Sequence, residues 1–239
     1  MKNSFLRLKL AIREDPATLK YYYIYKENKW LKRRVLRPYD DALIEGYPRS
    51  SNTFATYAFK YAQKVDTYLG NHFHSSGQFV LANKYHIPEM LVIREPIAAI
   101  KSFMLFSGNM DVKEALIRYI AFHQPLLALQ KSFSVAPFEE VTSDFGKSIL
   151  RMNSKFGTTF KLFEHTPENV ERVFEQISMD RARRAEQFGK FYRDPMKTTI
   201  PTAEKDLRKA DLEYHFKNPS SIKLQKRAYA LYKQILSSL

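Results

Sequence analysis

Ser50, Ser51 and Thr53 set three hydroxyls beside the fixed cation of Arg49, within Glu45-Gly46-Tyr47-Pro48-Arg49-Ser50-Ser51-Asn52-Thr53-Phe54. The short apolar run Ala42-Leu43-Ile44 precedes that stretch and has the character of a buried strand; helical spacing follows it. Hydroxyls, a guanidinium and the unpaired N–H groups of a helix start all favour an anion, and a phosphate suits such a turn. A plain capped helix start is the alternative, because Ser and Thr are common N-caps. Ser51 stands where most anion loops carry a glycine, and G-x-x-x-x-G-K-[ST] is not met.

A second apolar strand, Glu89-Met90-Leu91-Val92-Ile93, runs into Arg94-Glu95-Pro96 and then a helix through Phe103. Pro96 suits the first helical turn. Arg94 is thereby expected at the carboxyl end of a strand, with Ser102 eight residues later in the next helix and aimed at the same end of the sheet.

With both stretches in view, the chain resembles the sulfotransferases that use 3′-phosphoadenosine 5′-phosphosulfate (PAPS). Tyr47 to Phe54 is similar to that family's 5′-phosphosulfate loop, Y-P-K-S-G-T-T-W. Ile93-Arg94-Glu95-Pro96 with Ser102 is similar to its 3′-phosphate motif, R-x-P followed by a Ser eight residues after the Arg. The resemblance is specific over residues 42–106 and weaker over 133–160. It implies a P-loop-like three-layer α/β sandwich, with a central, mainly parallel sheet flanked by helices and a helical C-terminal part. It implies PAPS as sulfuryl donor, no metal, and a hydroxyl-bearing acceptor such as a carbohydrate or other small alcohol. On this basis Arg49, Ser50, Ser51, Asn52, Thr53, Phe54, Arg94, Ser102 and Phe138 are expected to hold the donor. The departures are Arg49 for Lys, Ser51 for Gly, Asn52 for Thr and Phe54 for Trp, and they match a branch whose loop reads G-Y-P-R-S-x-N-T-F. Arg49 keeps the charge in a planar fork. Phe54 keeps an aromatic face for adenine.

Sulfuryl transfer requires a base for the acceptor hydroxyl and positive charge around the leaving phosphate. His72-Phe73-His74-Ser75 lies between the two motifs, and its alternation predicts a strand end with both imidazoles on one face. In the resembling family a His in this interval takes the acceptor proton; His74 is the better match and His72 the reserve. The pair is also compatible with a structural role, or with a metal, although the other histidines at 86, 123, 165 and 215 show no ligand spacing. Phe138, in the predicted strand 135–141, resembles the aromatic residue of the family's Y-E-D-L segment; a core aromatic is the alternative. The family's late R-K-G loop has no counterpart, and Arg193, Lys197, Lys205 and Arg208 are equal candidates to replace it.

The 239 residues suffice for one α/β domain, divided here into a basic extension (1–37), a cofactor-binding core (38–160) and a mainly helical part (161–239). Helical spacing covers 112–132, 167–189, 204–216 and 220–239, and a further helix is expected from about 146 to 155. The extension joins basic residues to Tyr21-Tyr22-Tyr23-Ile24-Tyr25 and Lys29-Trp30-Leu31-Lys32-Arg33-Arg34. Packing on the domain edge is the expected role, with peripheral contact on a membrane surface as the alternative. The net charge of +14 suits a polyanionic donor through steering. It also keeps a nucleotide- or nucleic-acid-binding protein as a rival function, although no nucleic-acid motif is present. A P-loop-type small-molecule kinase is the other rival, and the missing G-K-[ST] counts against it. The group Arg181, Arg183, Arg184, Lys190 and Arg193 is expected on a solvated helix face. With no cysteine and no apolar run of membrane-spanning length, a cytoplasmic location is expected.

Overall fold

The computed structural model describes residues 2–19, 35–189, 194, 197, 198 and 200–239; the aromatic and basic clusters at 21–25 and 29–34, with Lys190 and Arg193, lie outside them. Four strands, β1 Ala42–Gly46, β2 Leu69–Asn71, β3 Glu89–Ile93 and β4 Ser134–Pro137, form a parallel sheet in the order β2-β1-β3-β4. Continuous apolar runs in β1 and β3 suit this arrangement, since a parallel sheet is buried on both faces. Leu43, Leu91, Ile93 and Val135 pack on one side, against α3 (Gly77–Tyr85), α4 (Pro96–Ser107), α5 (Val112–His123) and α11 (Pro219–Leu236). Ala42, Ile44, Met90, Val92 and Ala136 pack on the other, against α2 (Asn52–Gln63), α7 (Phe145–Phe156) and α8 (Pro167–Phe188).

The strand order matters for function. From β1 the chain passes to β2 on one side, then returns through α3 to β3 on the other, with Leu43 facing both Gly70 and Glu89. The loops after β1 and β3 therefore diverge at a topological switch point, where parallel sheets leave a crevice at their carboxyl ends. Gly46 closes β1 against β3: a Cβ there would lie 2.1 Å from the Val92 carbonyl oxygen. No side chain larger than hydrogen fits.

Several expected boundaries move. The strand expected over 135–141 ends at Pro137, and Phe138 opens the short helix α6 (Phe138–Ser143). The helix expected over 112–132 stops at His123, and Pro125 begins a 3₁₀ segment to Leu129, because proline lacks the N–H an α-helix would use. The stretch 204–216 divides into α9 (Ala203–Asp211) and α10 (Glu213–Phe216). At the N-terminus, α1 (Lys2–Glu14) packs on α5, with Leu10 buried and Glu14 Oε2 accepting from Ser76 N and Oγ at 2.5 and 2.9 Å. Among the described residues no helix is long and apolar enough to cross a membrane.

Candidate functional site

The loop after β1 is held in a costly conformation. Arg49 and Ser51 have φ of 73° and 71°, in the left-handed region that non-glycine residues enter at roughly 1–3 kcal/mol each. Ser51 thus adopts the turn a glycine would normally make. Tyr47 anchors the loop, being buried with its hydroxyl donating to the Ala115 carbonyl at 3.1 Å. Asn52 braces it, its amide donating to the carbonyls of Tyr47 at 2.9 Å and Gly46 at 3.3 Å. Asn52 therefore holds the loop, rather than presenting its amide outward. Ser50 is fully buried, and its hydroxyl has no hydrogen-bond partner among the described residues.

The two anion motifs meet at Arg49. Its Nε donates to Ser102 Oγ at 3.2 Å, and Arg94 donates to the Arg49 carbonyl at 3.1 Å. Residues 53 and 45 positions apart in the chain are thus joined through one residue. The Arg94 guanidinium also lies 3.8 Å from the centre of the Phe138 ring. A segment from the C-terminal half joins them: the Thr198 carbonyl accepts from Arg49 at 3.1 Å and from Lys205 Nζ at 2.8 Å. Lys205, at the start of α9, is 4% exposed and donates also to the Ile200 carbonyl at 2.8 Å. Arg181 of α8 donates to the carbonyls of Lys197 and Asp194 at 2.8 and 2.6 Å.

These cations perturb one another. Burial pushes Arg49 down to about 10, assisted by the charges of Arg94 and Arg181. Burial likewise pushes Lys205 down to about 8, with Arg49 and Arg181 adding to the shift. Arg94 is lowered by burial, against the opposing pull of Glu139, Glu95 and Asp206. Among the described residues, no ion pair forms on Arg49, Arg94 or Lys205. Buried charges are normally paired. Here uncharged carbonyls and one hydroxyl take the place of counter-ions.

The histidines stand on the neighbouring loop, and their placement corrects the expected strand end. β2 stops at Asn71, and His72 and His74 follow it with φ of 57° and 56°. A three-residue strand beside the central β1 leaves both imidazoles on a turn rather than on one pleated face. His74 Nδ1 lies 2.7 Å from the Gly46 carbonyl oxygen and 3.3 Å from Glu45 Oε1. A carbonyl can only accept, so Nδ1 carries a proton, and in the neutral ring the lone pair is then on Nε2. Glu45, fully buried in β1, accepts from the backbone N–H of Phe73 at 2.7 Å, His74 at 3.0 Å and Gly46 at 3.0 Å. It both pins the histidine loop to β1 and backs the imidazole. His72 is differently engaged: Nδ1 meets Asn71 Oδ1 at 2.8 Å and Nε2 meets Thr53 Oγ1 at 2.9 Å. Its lone pair accepts from the Thr53 hydroxyl, which ties the histidine loop to α2.

Among the described residues, four of the six non-glycine residues with positive φ, Arg49, Ser51, His72 and His74, therefore gather at this edge. The other two, Lys64 and His86, cap the ends of α2 and α3, an ordinary use of that conformation.

Some expected residues lie elsewhere. Phe54 faces the core, 7% exposed and packed on Phe163 and Phe174 with ring centres 5.9 and 5.5 Å away, so its ring has no face left for a base. Its spacing with Ala55, Ala58, Phe59 and Ala62 could have revealed this, for it belongs to the buried stripe of α2. Among the late cations, Lys205 reaches the cluster. Arg208 instead pairs with Glu204 at 3.0 Å on an exposed turn, and Lys197 lies 5.5 Å from the Phe106 ring centre. Arg181, expected on a solvated face, leaves Arg183 and Arg184 to pair with Asp180 and turns toward the cluster. Glu45 was missed as a functional group; an acid closing an apolar strand was its one signal.

Among the described residues, no group of three or more His, Asp or Glu side chains could hold a metal ion. No protein-family model matches the chain, and neither does any curated protein or solved structure.

Proposed function

We propose that this chain is a P-loop-like sulfotransferase, moving a sulfuryl group from PAPS to an acceptor hydroxyl. The carrying observation is the cluster of half-buried Arg49 and Arg94 with buried Lys205, without a carboxylate partner among the described residues and beside an imidazole whose Nδ1 is tied to a carbonyl. Such a donor set fits a ligand with several negative charges. Bound PAPS would supply the sulfuryl group and a phosphate leaving group.

Arg49, Lys205 and the N-terminus of α2 would hold the 5′ end of the donor, while Arg94 and Ser102 would hold its 3′-phosphate. The hydroxyl of Ser50 is closed off from the surface and would take part only after the loop moves. Phe138, under the Arg94 guanidinium, is the aromatic residue left to meet a base now that Phe54 is in the core. His74 Nε2 would take the acceptor proton as the acceptor oxygen bonds to sulfur. The electron pair of the broken sulfur–oxygen bond would remain on the leaving phosphate, where Arg49 offsets the charge. Glu45, 3.3 Å behind Nδ1, would stabilise the imidazolium so formed. Thr53, donating its hydroxyl to His72 Nε2, would align the two loops.

Calorimetric titration with 3′-phosphoadenosine 5′-phosphate, beside ATP with Mg²⁺, tests the assignment. Micromolar binding of the first alone is expected, with Arg94→Ala weakening it by at least about 1.5 kcal/mol, the worth of a charged hydrogen bond. Preference for ATP, or no binding of either, would overturn the proposal.

A further inference from the structure

Helix α1 turns an apolar stripe away from the protein. Phe5, Leu8 and Ile12 are 72%, 60% and 39% exposed, and their spacing of three and four residues puts them on one side of the helix. Leu10 and Glu14 hold the opposite side to the body of the molecule, so the stripe is presented on a fixed support. Lys9 is exposed beside it, and Arg7, also exposed, lies on the far flank of the helix.

A second helix, some two hundred residues later in the chain, extends the same surface. α1 and α11 both pack on α5, and a groove of about 240 Å³ opens between them. Ile117, Ile120 and Leu224 line it, with Arg7 and Arg227 among the residues at its walls. The charge lining the groove is one-sided. The sequence of α11 contains Lys223, Lys226, Arg227 and Lys233 and no acid. The acid of α1, Glu14, is buried on Arg13 and Ser76, and Glu114 of α5 is engaged by Arg118.

A basic face carrying bulky apolar side chains in a single stripe is matched by an anionic lipid surface. The cations reach the lipid phosphates, and the apolar groups enter the boundary between headgroups and acyl chains. Nucleic acid would satisfy the charges but leave Phe5, Leu8 and Ile12 in water. We infer that the α1–α11 face docks this protein on an anionic membrane surface. The inference is independent of the sulfuryl-transfer proposal, because α5 turns Ala115 and Tyr119 toward Tyr47 and Arg94 and a different face toward the groove.

Co-sedimentation of the full chain with phosphatidylcholine vesicles, with and without phosphatidylglycerol, tests it. Binding is expected only when phosphatidylglycerol is present, and should weaken as salt is raised. Replacing Phe5, Leu8 and Ile12 together with Ser should reduce that binding about tenfold or more, and Arg7→Glu with Arg227→Glu should do the same. All five side chains lie at the surface or the groove rim, and an unchanged circular-dichroism melt would exclude unfolding as the cause. Sedimentation with neither vesicle, full binding by the triple Ser variant, or single-stranded RNA that displaces the vesicles at equal charge concentration would each overturn the inference.

Discussion

Two imidazoles in this molecule are tied by Nδ1 to a backbone carbonyl, and their surroundings separate them. His123 Nδ1 donates to the Tyr119 carbonyl at 2.9 Å, much as His74 donates to Gly46 at 2.7 Å. His123 is fully buried against Tyr119, Tyr47 and Phe122, and its Nε2 has no partner among the described residues. Burial pushes it down to about 3, so it remains a neutral core group. His74 has a carboxylate 3.3 Å behind the same nitrogen and a side chain about a quarter exposed. The same hydrogen bond orients both rings; a carboxylate behind the ring and an open side distinguish His74.

The cations divide in the same way. Arg183, Arg184 and Arg208 pair with acids of their own helices. Arg49, half-buried, and Lys205, buried, rest on the Thr198 carbonyl. Exposed pairs of the first kind are worth less than about 1 kcal/mol, whereas a buried cation without a counter-ion pays a desolvation cost that an anionic ligand would offset.

The largest expected effect breaks the histidine comparison directly. His74→Ala should reduce turnover by about a hundredfold to ten-thousandfold, the usual worth of a positioned base, while leaving affinity for 3′-phosphoadenosine 5′-phosphate nearly unchanged. Single-turnover kinetics beside calorimetry separates the two quantities. Retained turnover would move the base to His72, which would then have to surrender its bond to Thr53.

His123 should register in stability alone. The unfolded imidazole takes its proton near 6.5 and the folded one only near 3. Between those values the unfolded chain binds more protons, so stability falls as the pH drops through that window. The loss attributable to this group approaches ~3 kcal/mol by pH 4, at about 1.36 kcal/mol per unit. Urea unfolding at a series of pH values should show that slope, and His123→Phe should flatten it. An equal slope in both proteins would mean that other groups govern acid unfolding.

What was legible in the sequence follows from how local each signal is. β1 and β3 could be read because a doubly covered parallel strand is apolar at every position, and Pro96 marked the start of α4 without any tertiary information. The convergence of Arg49, Arg94 and Ser102 was legible from their positions at strand and helix ends. Glu45 was not, because its task depends on the loop after β2 lying beside β1, a consequence of strand order. Lys205 could not be told from Lys197 or Arg208 because the choice is made by how Thr198 lies between Lys205 and Arg49. Phe54 was misplaced by a different error: its chemistry as an aromatic was weighed before its place on the buried stripe of α2.

Lys205 sharpens the cation comparison through its own titration. Its ammonium loses its proton at about 8, and an anion bound beside it would favour the charged form. Affinity for 3′-phosphoadenosine 5′-phosphate should then be level below that pH and fall about tenfold per unit just above it. Stability of the ligand-free protein should move the opposite way, rising between 8 and 10.5 as the buried charge is discharged. Lys205→Met should bind more weakly throughout and lose the pH dependence, as read by calorimetry at several pH values.

The smallest expected effect tests whether position or mere charge matters. Arg208 sits one turn beyond Lys205 on the same helix, yet it is exposed and paired with Glu204. If the cluster is a specific cradle, Arg208→Ala should change stability by less than about 0.5 kcal/mol and shift the affinity for 3′-phosphoadenosine 5′-phosphate by less than about threefold. That shift should vanish at high salt, since only long-range attraction is altered. A tenfold loss surviving high salt would make Arg208 and Lys205 equivalent. The uncompensated burial that distinguishes Arg49 and Lys205 would then have no functional meaning, and the basic surface as a whole, rather than the switch-point crevice, would be the anion-binding feature of this chain.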